Sequence, residues 1–598
     1  MGKPEAAYAQ SQLYEPLYET FAEWCLKKDQ LTLEQQNSII RFLEEADTQD
    51  CLEADTYLSN ITTLTIGGIN GLDLSPLSGF TNLTELQLPH NDIVDLSPLS
   101  TLTELKKLDI RHSNISDLSP LSTLTNLTEL ALASQEITDI KVLSTLTNLK
   151  TLKLQGLSII DLGALSRLTN LETLDIRHIP ITNFSPLSNL PNLTHLVFRN
   201  SGSYYFGSLS SLRHLTYLDL SSNGIDDISY LANLTNLNEL NLYDNKITEI
   251  QPLSELKNLR AIDISRNRVS ELPNLPNLIN LENLNLYSNQ LADIQSLSIL
   301  TNLKKLNLSF NRISNFMPLS NIKDLTELSI WGNSIKNLSS FPSLDNLKTL
   351  DISNNEISNI SVLSNLPSLV SINLSNNEIS NLEPLSNLIR LTNISLRNNK
   401  ISEISPLSNL INIENLSIGF NEIDDISSLS NLNKLNSLRI HDNKISNLEP
   451  LSNLFDLEYL ELQNNRIESI NSLTSLTNLK NLDLSNNNIK EVDSLFNLIY
   501  LQRLYLTGNE IENISSLSSL IRLTHLHIGH NNVEEVEALS SLSNLQRLYI
   551  EFNKIYDVSA LSTLTNLNLV YLEGNLLTEE MCPFENLFIC RWRRNTHF

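Results

Sequence analysis

The sequence predicts an α/β solenoid, a stack of similar coils in which each coil supplies one short parallel strand. Apolar residues return every 22 residues, and an asparagine holds the same place in successive copies, as at Asn355 and Asn377. The register runs without insertion from Ile69 to Asn575, which gives about 24 repeats. Such an unbroken period replaces the several globular domains that a chain of 598 residues would otherwise suggest.

Each coil has three predicted parts: a strand, a turn and a return segment. Leu350 and Ile352 flank the polar Asp351, and this alternation is typical of a strand with one face in a core. Apolar residues at a spacing of three, from Ile357 to Leu369, predict a tight 3₁₀-like return. Because no coil can bury its own faces alone, the inward residues of all coils form one continuous core.

The asparagine column is predicted to be structural, since a stacked amide can donate to and accept from the backbone of the turn. The column is asparagine in every repeat from Asn223 onward and includes Asn223, Asn245, Asn267, Asn377 and Asn575. The first seven repeats carry instead Ile69, Asn91, Ser113, Gln135, Leu157, Ile179 and Ser201. Because most of these side chains cannot repeat the amide pattern, we expect the N-terminal third to be looser or differently curved. The unusual loop at 201–207 is interpreted as either a contact site or a tolerated defect.

The repeat L-x-x-L-x-L-x-x-N-x-I-x-x-I-x-x-L-x-x-L resembles the leucine-rich repeat, most closely the 22-residue class of bacterial internalins and SDS22-like phosphatase regulators. The resemblance covers roughly residues 58–577. It implies a curved, right-handed superhelix with a parallel β-sheet on the concave face and 3₁₀ or irregular structure on the convex side. Neither the immunoglobulin-like module nor the wall anchor of internalins follows the repeats here, which weakens an analogy with adhesion or invasion.

Both ends are predicted to be caps, because the terminal coils of a solenoid would otherwise expose their core. We assign 1–57 to a helical N-terminal cap, 58–577 to the repeats, and 578–598 to a C-terminal cap with a basic tail. Thr32 begins a helix in a capping-box pattern with Gln35. Helical spacing predicts that the cap helices turn one apolar face inward, formed by Leu13, Leu17, Phe21, Trp24, Leu33, Ile40 and Leu43.

The chain's cysteines lie only in these ends: Cys25 and Cys51, then Cys582 and Cys590. Their placement suggests one local disulfide per end and hence an oxidising compartment, with four reduced thiols as the alternative. An exported location is therefore favoured, although Met1 to Glu5 lacks the apolar core of a signal peptide. The small-x-small segment at 7–9 fits a shortened or re-started precursor, and a cytoplasmic location stays open.

Composition and motifs argue against several function classes. The formal net charge of −27 opposes nonspecific binding to nucleic acid, and no apolar run is long enough to span a membrane. The nucleophile elbow, the phosphate loop, the zinc-protease helix motif and the dinucleotide fingerprint are all missing from the sequence. We therefore predict no catalytic, cofactor or metal residues, and we expect recognition to use the outward-facing strand positions.

Three zones of outward positions are candidate contact surfaces. The basic zone suggests an anionic partner, with ordinary solvated charge as the alternative, and contains Lys107, Arg111, Lys153, Arg177, His195 and Arg199. The aromatic zone suggests binding hot spots, with packing between neighbouring side chains as the alternative, and contains Tyr217, Tyr243, Tyr287, Phe310 and Trp331. The mixed zone contains Arg439, His441, Arg503, Tyr505, His525, His527, Arg547, Tyr549 and Tyr571.

The mixed zone fits a protein or an anionic glycan better than other ligands. His525 and His527 point the same way on one strand, yet no cysteine and no third histidine column supports a metal site. Overall, the sequence predicts a non-catalytic scaffold that binds a protein on its concave face. A structural or cell-surface component that self-associates or binds glycan, and an SDS22-like regulatory subunit, remain alternatives.

Overall fold

The computed structural model describes residues 16–202, 206–577, 582–584 and 586–591. Contacts between Cα atoms divide the chain into two compact units, with the boundary between Gln290 and Leu291. In both units each repeat contributes a short parallel strand followed by a return segment, as the 22-residue period predicts. Within the described residues no helix combines the length and the apolar character needed to cross a membrane.

From residue 16 onward, where the description starts, the first unit has three helices before its strands, α1 (Phe21–Leu26), α2 (Leu33–Glu45) and α3 (Cys51–Leu58). The capping box at the start of α2 is confirmed: the Gln35 amide donates to the Thr32 hydroxyl, and the Gln35 side chain accepts from the Thr32 N–H, each at 3.3 Å. The rings of Phe21, Phe42 and Phe80 pack together with centroids about 6 Å apart. This cluster covers the core of the first repeat.

The predicted inward face of the cap is partly wrong. Leu17, Leu33 and Ile40 are exposed by 66%, 67% and 47%, whereas Ile39 and Phe42 are fully buried. The buried stripe of α2 is therefore centred one residue earlier than the spacing suggested. Leu33 is the first residue of its helix, before the stripe meets the repeats. Leu13 lies outside the described residues.

The strands of the first unit pair in sequence order, each in parallel register with the next. They are β1 (Thr63–Thr65), β2 (Glu85–Gln87), β3 (Lys107–Arg111), β4 (Glu129–Ala133), β5 (Thr151–Gln155), β6 (Thr173–Arg177), β7 (His195–Arg199), β8 (Tyr217–Asp219), β9 (Glu239–Asn241), β10 (Ala261–Asp263) and β11 (Asn283–Asn285).

The second unit follows the same rule, and its strands also pair in sequence order. They are β12 (Lys305–Asn307), β13 (Glu327–Ser329), β14 (Thr349–Asp351), β15 (Ser371–Asn373), β16 (Asn393–Ser395), β17 (Asn415–Ser417), β18 (Ser437–Arg439), β19 (Tyr459–Glu461), β20 (Asn481–Asp483), β21 (Arg503–Tyr505), β22 (His525–His527), β23 (Arg547–Tyr549), β24 (Leu569–Tyr571) and β25 (Cys590–Arg591).

Short 3₁₀ helices form most of the return segments. In the first unit they are Ser75–Gly79, Ser97–Thr101, Ser119–Thr123, Lys141–Thr145, Gly163–Arg167, Ser185–Asn189, Gly207–Ser211, Ser229–Asn233 and Gln251–Glu255, after Lys28–Gln30 in the cap. In the second unit they are Gln295–Ile299, Met317–Asn321, Ser361–Asn365, Glu383–Leu385, Ser405–Leu407, Ser427–Leu429, Glu449–Leu451, Asn471–Leu473, Asp493–Asn497, Ser515–Ser519, Glu537–Ser541, Ser559–Thr563 and Leu587–Ile589. The apolar residues at the period of three are buried between strand and return.

The asparagine column forms the predicted ladder. The Nδ2 of Asn377 donates to the carbonyl oxygens of Ile352 and Leu374, at 3.1 and 3.0 Å, and its Oδ1 accepts from the N–H of Ile357 at 3.0 Å. Each amide therefore links two successive turns, which satisfies backbone groups that the turns leave unpaired. The same three bonds recur at Asn245, one of the first repeats of the regular column.

The early repeats are not loosely built. Strands β3 to β7 are five residues long, whereas the other repeat strands have three. The column residues Leu157 and Ile179 are 2% and 0% exposed, so they have joined the core. At the fourth repeat the Ser134 hydroxyl donates to the Ile115 carbonyl, beside the exposed Gln135. Longer backbone pairing and added apolar burial replace the amide ladder here.

A second asparagine column escaped the sequence interpretation. The Nδ2 of Asn346 donates to the Lys323 carbonyl at 3.0 Å, and that of Asn412 donates to the Ile389 carbonyl at 2.9 Å. The same bond joins neighbouring repeats of the first unit, for example from Asn148 to Thr125. These asparagines lie before the strands, whereas the ladder asparagines lie after them, and each one bonds its coil to the preceding coil. Their signal was present in the period, as an asparagine followed by leucine or isoleucine before many of the strands.

Both predicted disulfides form, Cys25 to Cys51 and Cys582 to Cys590, with Cα atoms 5.6 and 5.8 Å apart. The first joins α1 to the start of α3, and the second holds β25 against the last repeat, where Cys590 pairs with Val570. Disulfides persist in oxidising compartments, so the two bonds favour an exported protein over a cytoplasmic one.

Candidate functional site

The candidate contact residues lie on the open face of the strands, opposite the core. In the segment Leu350-Asp351-Ile352 and its equivalents, the outer residues of the trio are buried, and in most repeats the middle one is half-buried or exposed. Parallel register then stacks residues 22 apart in sequence side by side on neighbouring strands, about 4.8 Å from each other. Chemistry on this face is therefore decided by columns, not by local sequence.

The basic zone is largely neutralised by carboxylates. The Lys107 ammonium sits between Glu85 and Glu129 on the adjacent strands, with Nζ–Oε1 distances of 3.2 and 3.4 Å. Hydrogen bonds to these two carboxylates raise the pKa of Lys107. Arg111 and Arg177 each turn back onto an aspartate two residues earlier, at 2.6 Å from Asp109 and 2.8 Å from Asp175.

The remaining members of the basic zone complete the same picture. Arg199 pairs with Asp219, whose side chain is fully buried and also accepts from the Asn241 amide at 2.8 Å. His195 stacks on Tyr217 with ring centroids 5.8 Å apart. Lys153 is exposed and makes no ion pair with any described residue. An array of ion pairs, and not a field of free cations, occupies this face, which removes the reason for expecting an anionic partner here.

The aromatic zone is divided between the two units. In the first unit Tyr243 and Tyr287 are half-buried, and the Arg266 guanidinium lies 5.7 Å from the centre of the Tyr243 ring. Burial raises the pKa of the nearby Tyr217 phenol. Ser265, the column residue between these tyrosines, is 2% exposed, so no ring lies between Tyr243 and Tyr287 in this column.

In the second unit Phe310 packs edge-on against Trp331, with ring centroids 4.2 Å apart and planes at 77°. Phe310 remains 44% exposed, although its backbone is held at a φ of 53° in the turn before the ladder. A bulky residue in the left-handed region is uncommon. The contact between the Phe310 and Trp331 rings is packing between neighbouring side chains, and such packing accounts for part of this zone.

The mixed zone contains a continuous stack of four rings on strands β21 to β24. Tyr505 lies 4.5 Å from His527, His527 lies 3.9 Å from Tyr549, and Tyr549 lies 4.9 Å from Tyr571, measured between ring centroids. The last two contacts are near-parallel, at 19° and 14°. The stack arises because one strand position holds a ring in four successive repeats.

A column of cationic and imidazole groups runs beside this stack. Arg503, His525 and Arg547 pair in register on three successive strands, so the backbones of the two arginines are about 10 Å apart. Both arginines are exposed, and neither makes an ion pair with any described residue. Burial lowers the pKa of His525, and the charges of the two arginines lower it further. We call the column and the stack together the ring surface: Arg503, Tyr505, His525, His527, Arg547, Tyr549 and Tyr571.

Arg439 and His441 do not belong to the ring surface. Arg439 lies 3.1 Å from Glu461, and His441 is 9% exposed with its Nδ1 2.8 Å from Asp442. The His441 ring also packs edge-on against Phe420. Just beyond, burial raises the pKa of Asp483, which pairs in register with Tyr505. Glu461 and Asp483 therefore lie at this end of the ring stack, and the cations without an ion-pair partner among the described residues, Arg503 and Arg547, follow them along the chain.

No group of three or more histidine, cysteine or carboxylate side chains is arranged to hold a metal in the part of the chain that the structure describes. His527 lies between the rings of Tyr505 and Tyr549, and His525 lies between two arginines. His525 and His527 therefore contribute aromatic contact area and hydrogen-bonding groups to the ring surface.

Two repeat-family models match the chain. The model described as leucine-rich repeats in two copies matches residues 81–123, 213–255, 235–277, 367–409, 389–431 and 456–497, and a second leucine-rich-repeat model matches residues 323–379. No curated protein sequence matches the chain.

Several solved structures are similar. The internalin inlF of Listeria monocytogenes is 34% identical, over 49% of this chain and 87% of that one, with a TM-score of 0.48. A complex of TLR13 with single-stranded RNA is 25% identical, over 87% and 79%, with a TM-score of 0.54. The plant peptide hormone receptor RGFR1 in complex with RGF2 is 22% identical, over 86% of both chains, with a TM-score of 0.53.

Proposed function

The chain belongs to the leucine-rich-repeat proteins, in their internalin-like class, and from that premise we propose that it is a non-catalytic scaffold whose ring surface binds an acidic segment of a protein partner. The observation that carries this proposal is the contrast in charge pairing. Arg503 and Arg547 have no carboxylate partner among the described residues, although acidic residues far outnumber basic ones, at 68 to 41.

The chemistry of the ring surface supports a protein ligand. Arginine and tyrosine dominate binding hot spots, because each combines a large flat contact area with hydrogen-bonding groups. A guanidinium binds a carboxylate through two parallel N–H donors, and two such groups on strands about 10 Å apart suit an extended acidic segment. Because the repeats hold the strands in place, little conformational entropy opposes binding.

The small extent of the cationic surface favours a protein partner over nucleic acid. A chain of net charge −27 repels a long polyanion along most of its length, whereas a short acidic segment needs only the local cations Arg503 and Arg547. Among the similar structures, one is a complex with RNA and another is a peptide hormone receptor, so both ligand classes occur on this fold. The two disulfides favour an extracellular, cell-surface or periplasmic setting over an SDS22-like cytoplasmic role.

The test uses three defined probes on the full chain at about 150 mM salt, which is close to physiological ionic strength. The probes are an eight-residue glutamate peptide flanked by apolar residues, a sulfated polysaccharide and single-stranded RNA. Calorimetry compares the wild type with an Arg503→Gln, Arg547→Gln variant and with a matched Arg111→Gln, Arg177→Gln control.

We expect the acidic peptide to bind the wild type and the control with the same affinity, and to bind the Arg503→Gln, Arg547→Gln variant several-fold more weakly. Tighter binding of RNA or sulfated polysaccharide than of peptide would contradict the proposed partner class. An equal loss of peptide binding in the Arg111→Gln, Arg177→Gln control would contradict the ring surface as the binding site.

A further inference from the structure

A cleft of about 570 Å³ opens in the first unit, whereas the ring surface belongs to the second. Its lining includes His112, Ser113, Gln135, Gln155 and His178, which come from four successive repeats. These are the repeats in which the asparagine ladder is interrupted. The coincidence suggests that the cleft exists because the ladder side chains are missing.

Asn91 shows what an intact ladder residue does in this unit. Its Nδ2 donates to the Ile66 carbonyl at 2.7 Å, and its Oδ1 accepts from the Ile69 N–H at 2.9 Å. In the next repeat Ser113 is too short to span the two turns, and one repeat later Gln135 is exposed. Because these repeats lack the stacked amides, space is left between their turns. Polar groups that the amides would have bonded face this space.

The Ser113 hydroxyl is a buried polar group of the cleft wall without a hydrogen-bond partner among the described residues. Ser113 is 5% exposed, it lines the cleft, and its Oγ has no hydrogen-bond partner among the described residues. Buried hydroxyls are normally hydrogen-bonded, so an orphaned one in a cleft wall points to an external ligand. Ser201, at the same ladder position, has no such vacancy: its Oγ accepts from the Ile179 N–H and donates to the Arg199 carbonyl.

The lining defines the ligand's chemistry. Its carboxylates, Asp92 and Glu136, are the lining groups with a fixed charge, so an anionic ligand is repelled. The nearby Arg111 does not offset them, because it is held by Asp109. Burial lowers the pKa of His112, and the neighbouring His90 and Arg111 add to this effect. Neutral imidazole therefore faces the cleft at neutral pH.

Amides, carboxylates, hydroxyls and the neutral imidazole of His112 together supply closely spaced donors and acceptors without net positive charge. Vicinal hydroxyl groups match such a set, since each both donates and accepts. The imidazole of His112 lines the cleft and is held by stacking on the His90 ring, with centroids 4.1 Å apart. We propose that this cleft binds a neutral saccharide unit, free or at the end of a glycan chain, with the Ser113 hydroxyl as its buried contact. This site is independent of the ring surface.

The test follows the histidine ring signals of the full chain by nuclear magnetic resonance, which is practical because the chain has ten histidines. The probes are the methyl glycosides of glucose, galactose and mannose, and a neutral oligomannose glycopeptide. We expect at least one probe to shift the His112 and His178 signals saturably. A shift by the glycopeptide alone assigns the site to a glycan end, and a shift by a methyl glycoside assigns it to a free sugar.

Two variants make the test specific. Ser113→Asn should rebuild the ladder as Asn91 does and fill the cleft, and we expect it to weaken saccharide binding at least tenfold without lowering the unfolding temperature. Ser201→Asn is the same change at a ladder position outside the cleft and should leave binding unchanged. Gln155→Ala, which removes one lining amide, should weaken binding even if Ser113→Asn folds poorly.

Three outcomes would overturn the proposal. The first is that no saccharide shifts either histidine at concentrations of tens of millimolar. The second is that Ser113→Asn and Gln155→Ala bind as the wild type does. The third is that choline, a cation without sugar hydroxyls, shifts the signals more than any saccharide, because the carboxylates alone would then explain binding.

Discussion

The basic zone and the ring surface contain similar residues but present opposite chemistry. In the first unit Lys107 lies between two glutamates, and Arg111 folds back on Asp109. In the second unit Arg503 and Arg547 lie beside a histidine and a row of rings, with no carboxylate in their column among strands β21 to β23. The difference teaches that a count of cations along the sequence does not define a binding surface. The residues beside each cation, either on the same strand or one repeat away on the next strand, decide whether its charge is paired.

The largest effect is expected from the centre of the ring stack. Tyr549 contacts both His527 and Tyr571, so Tyr549→Ala interrupts the stack and removes a hot-spot ring. We expect about a 100-fold loss of affinity for the acidic peptide, in line with hot-spot losses of about 2 kcal/mol or more. Calorimetry of Tyr549→Ala beside Trp331→Ala measures it. An equal loss in Trp331→Ala would move the site to the aromatic zone and erase the contrast between the regions.

The two regions should also differ in what the ladder position contributes to stability. Asn377→Ala leaves the Ile352 and Leu374 carbonyls and the Ile357 N–H without their bonds, and we expect the free energy of unfolding to fall by about 1–3 kcal/mol.

Gln135→Ala is the matched change in the first unit, where the side chain is exposed, and should alter stability by less than about 0.5 kcal/mol. Denaturant unfolding compares the two variants. Equal losses would mean that the amide ladder is not what stabilises the later turns.

The arginine column should act mainly through charge. Arg503→Gln with Arg547→Gln is expected to weaken acidic-peptide binding about tenfold at low salt, because two charge-assisted contacts are lost, and to flatten its dependence on salt. Titrations at two salt concentrations check both effects. If the salt dependence is the same in this variant and in the wild type, the bound groups are not anionic.

The smallest effect concerns pH. The pKa of His525 is lowered in the folded chain by burial and by its two arginines, so the ring is neutral at pH 7. A bound carboxylate favours the charged ring, so binding takes up a proton and affinity should rise about threefold as pH falls from about 7.5 to 6. His525→Gln should lack this rise.

The same lowered pKa predicts the opposite sign for folding. The unfolded chain binds this proton more readily than the folded one, so the contribution of His525 to stability is present above its unfolded pKa and is lost as pH falls below about 6.5. A chain that becomes more stable in this window through His525 would contradict the account.

The coil was predictable because its causes are local and repeated. Alternation at Leu350 and Ile352 and the spacing of three after Ile357 require a strand and a tight return in any stack of such units. The ladder at Asn377 followed from the hydrogen-bonding capacity of an amide, and both disulfides followed from cysteines that lie only near the ends. The cap was harder: α2 has few turns, and a shift of one residue moved Ile40 out of its core.

Surface chemistry was beyond the reach of the sequence pattern. Asp219 is the partner of Arg199 although 20 residues separate them, and the rings from Tyr505 to Tyr571 meet only because the strands are in register. The orphaned hydroxyl of Ser113 likewise depends on what its neighbouring turns fail to supply. A periodic sequence dictates which side chains face the core, because burial depends on position within one coil. Whether an outward charge is paired depends also on contacts between coils, as at Lys107 and Arg199, and those contacts exist only in the folded stack.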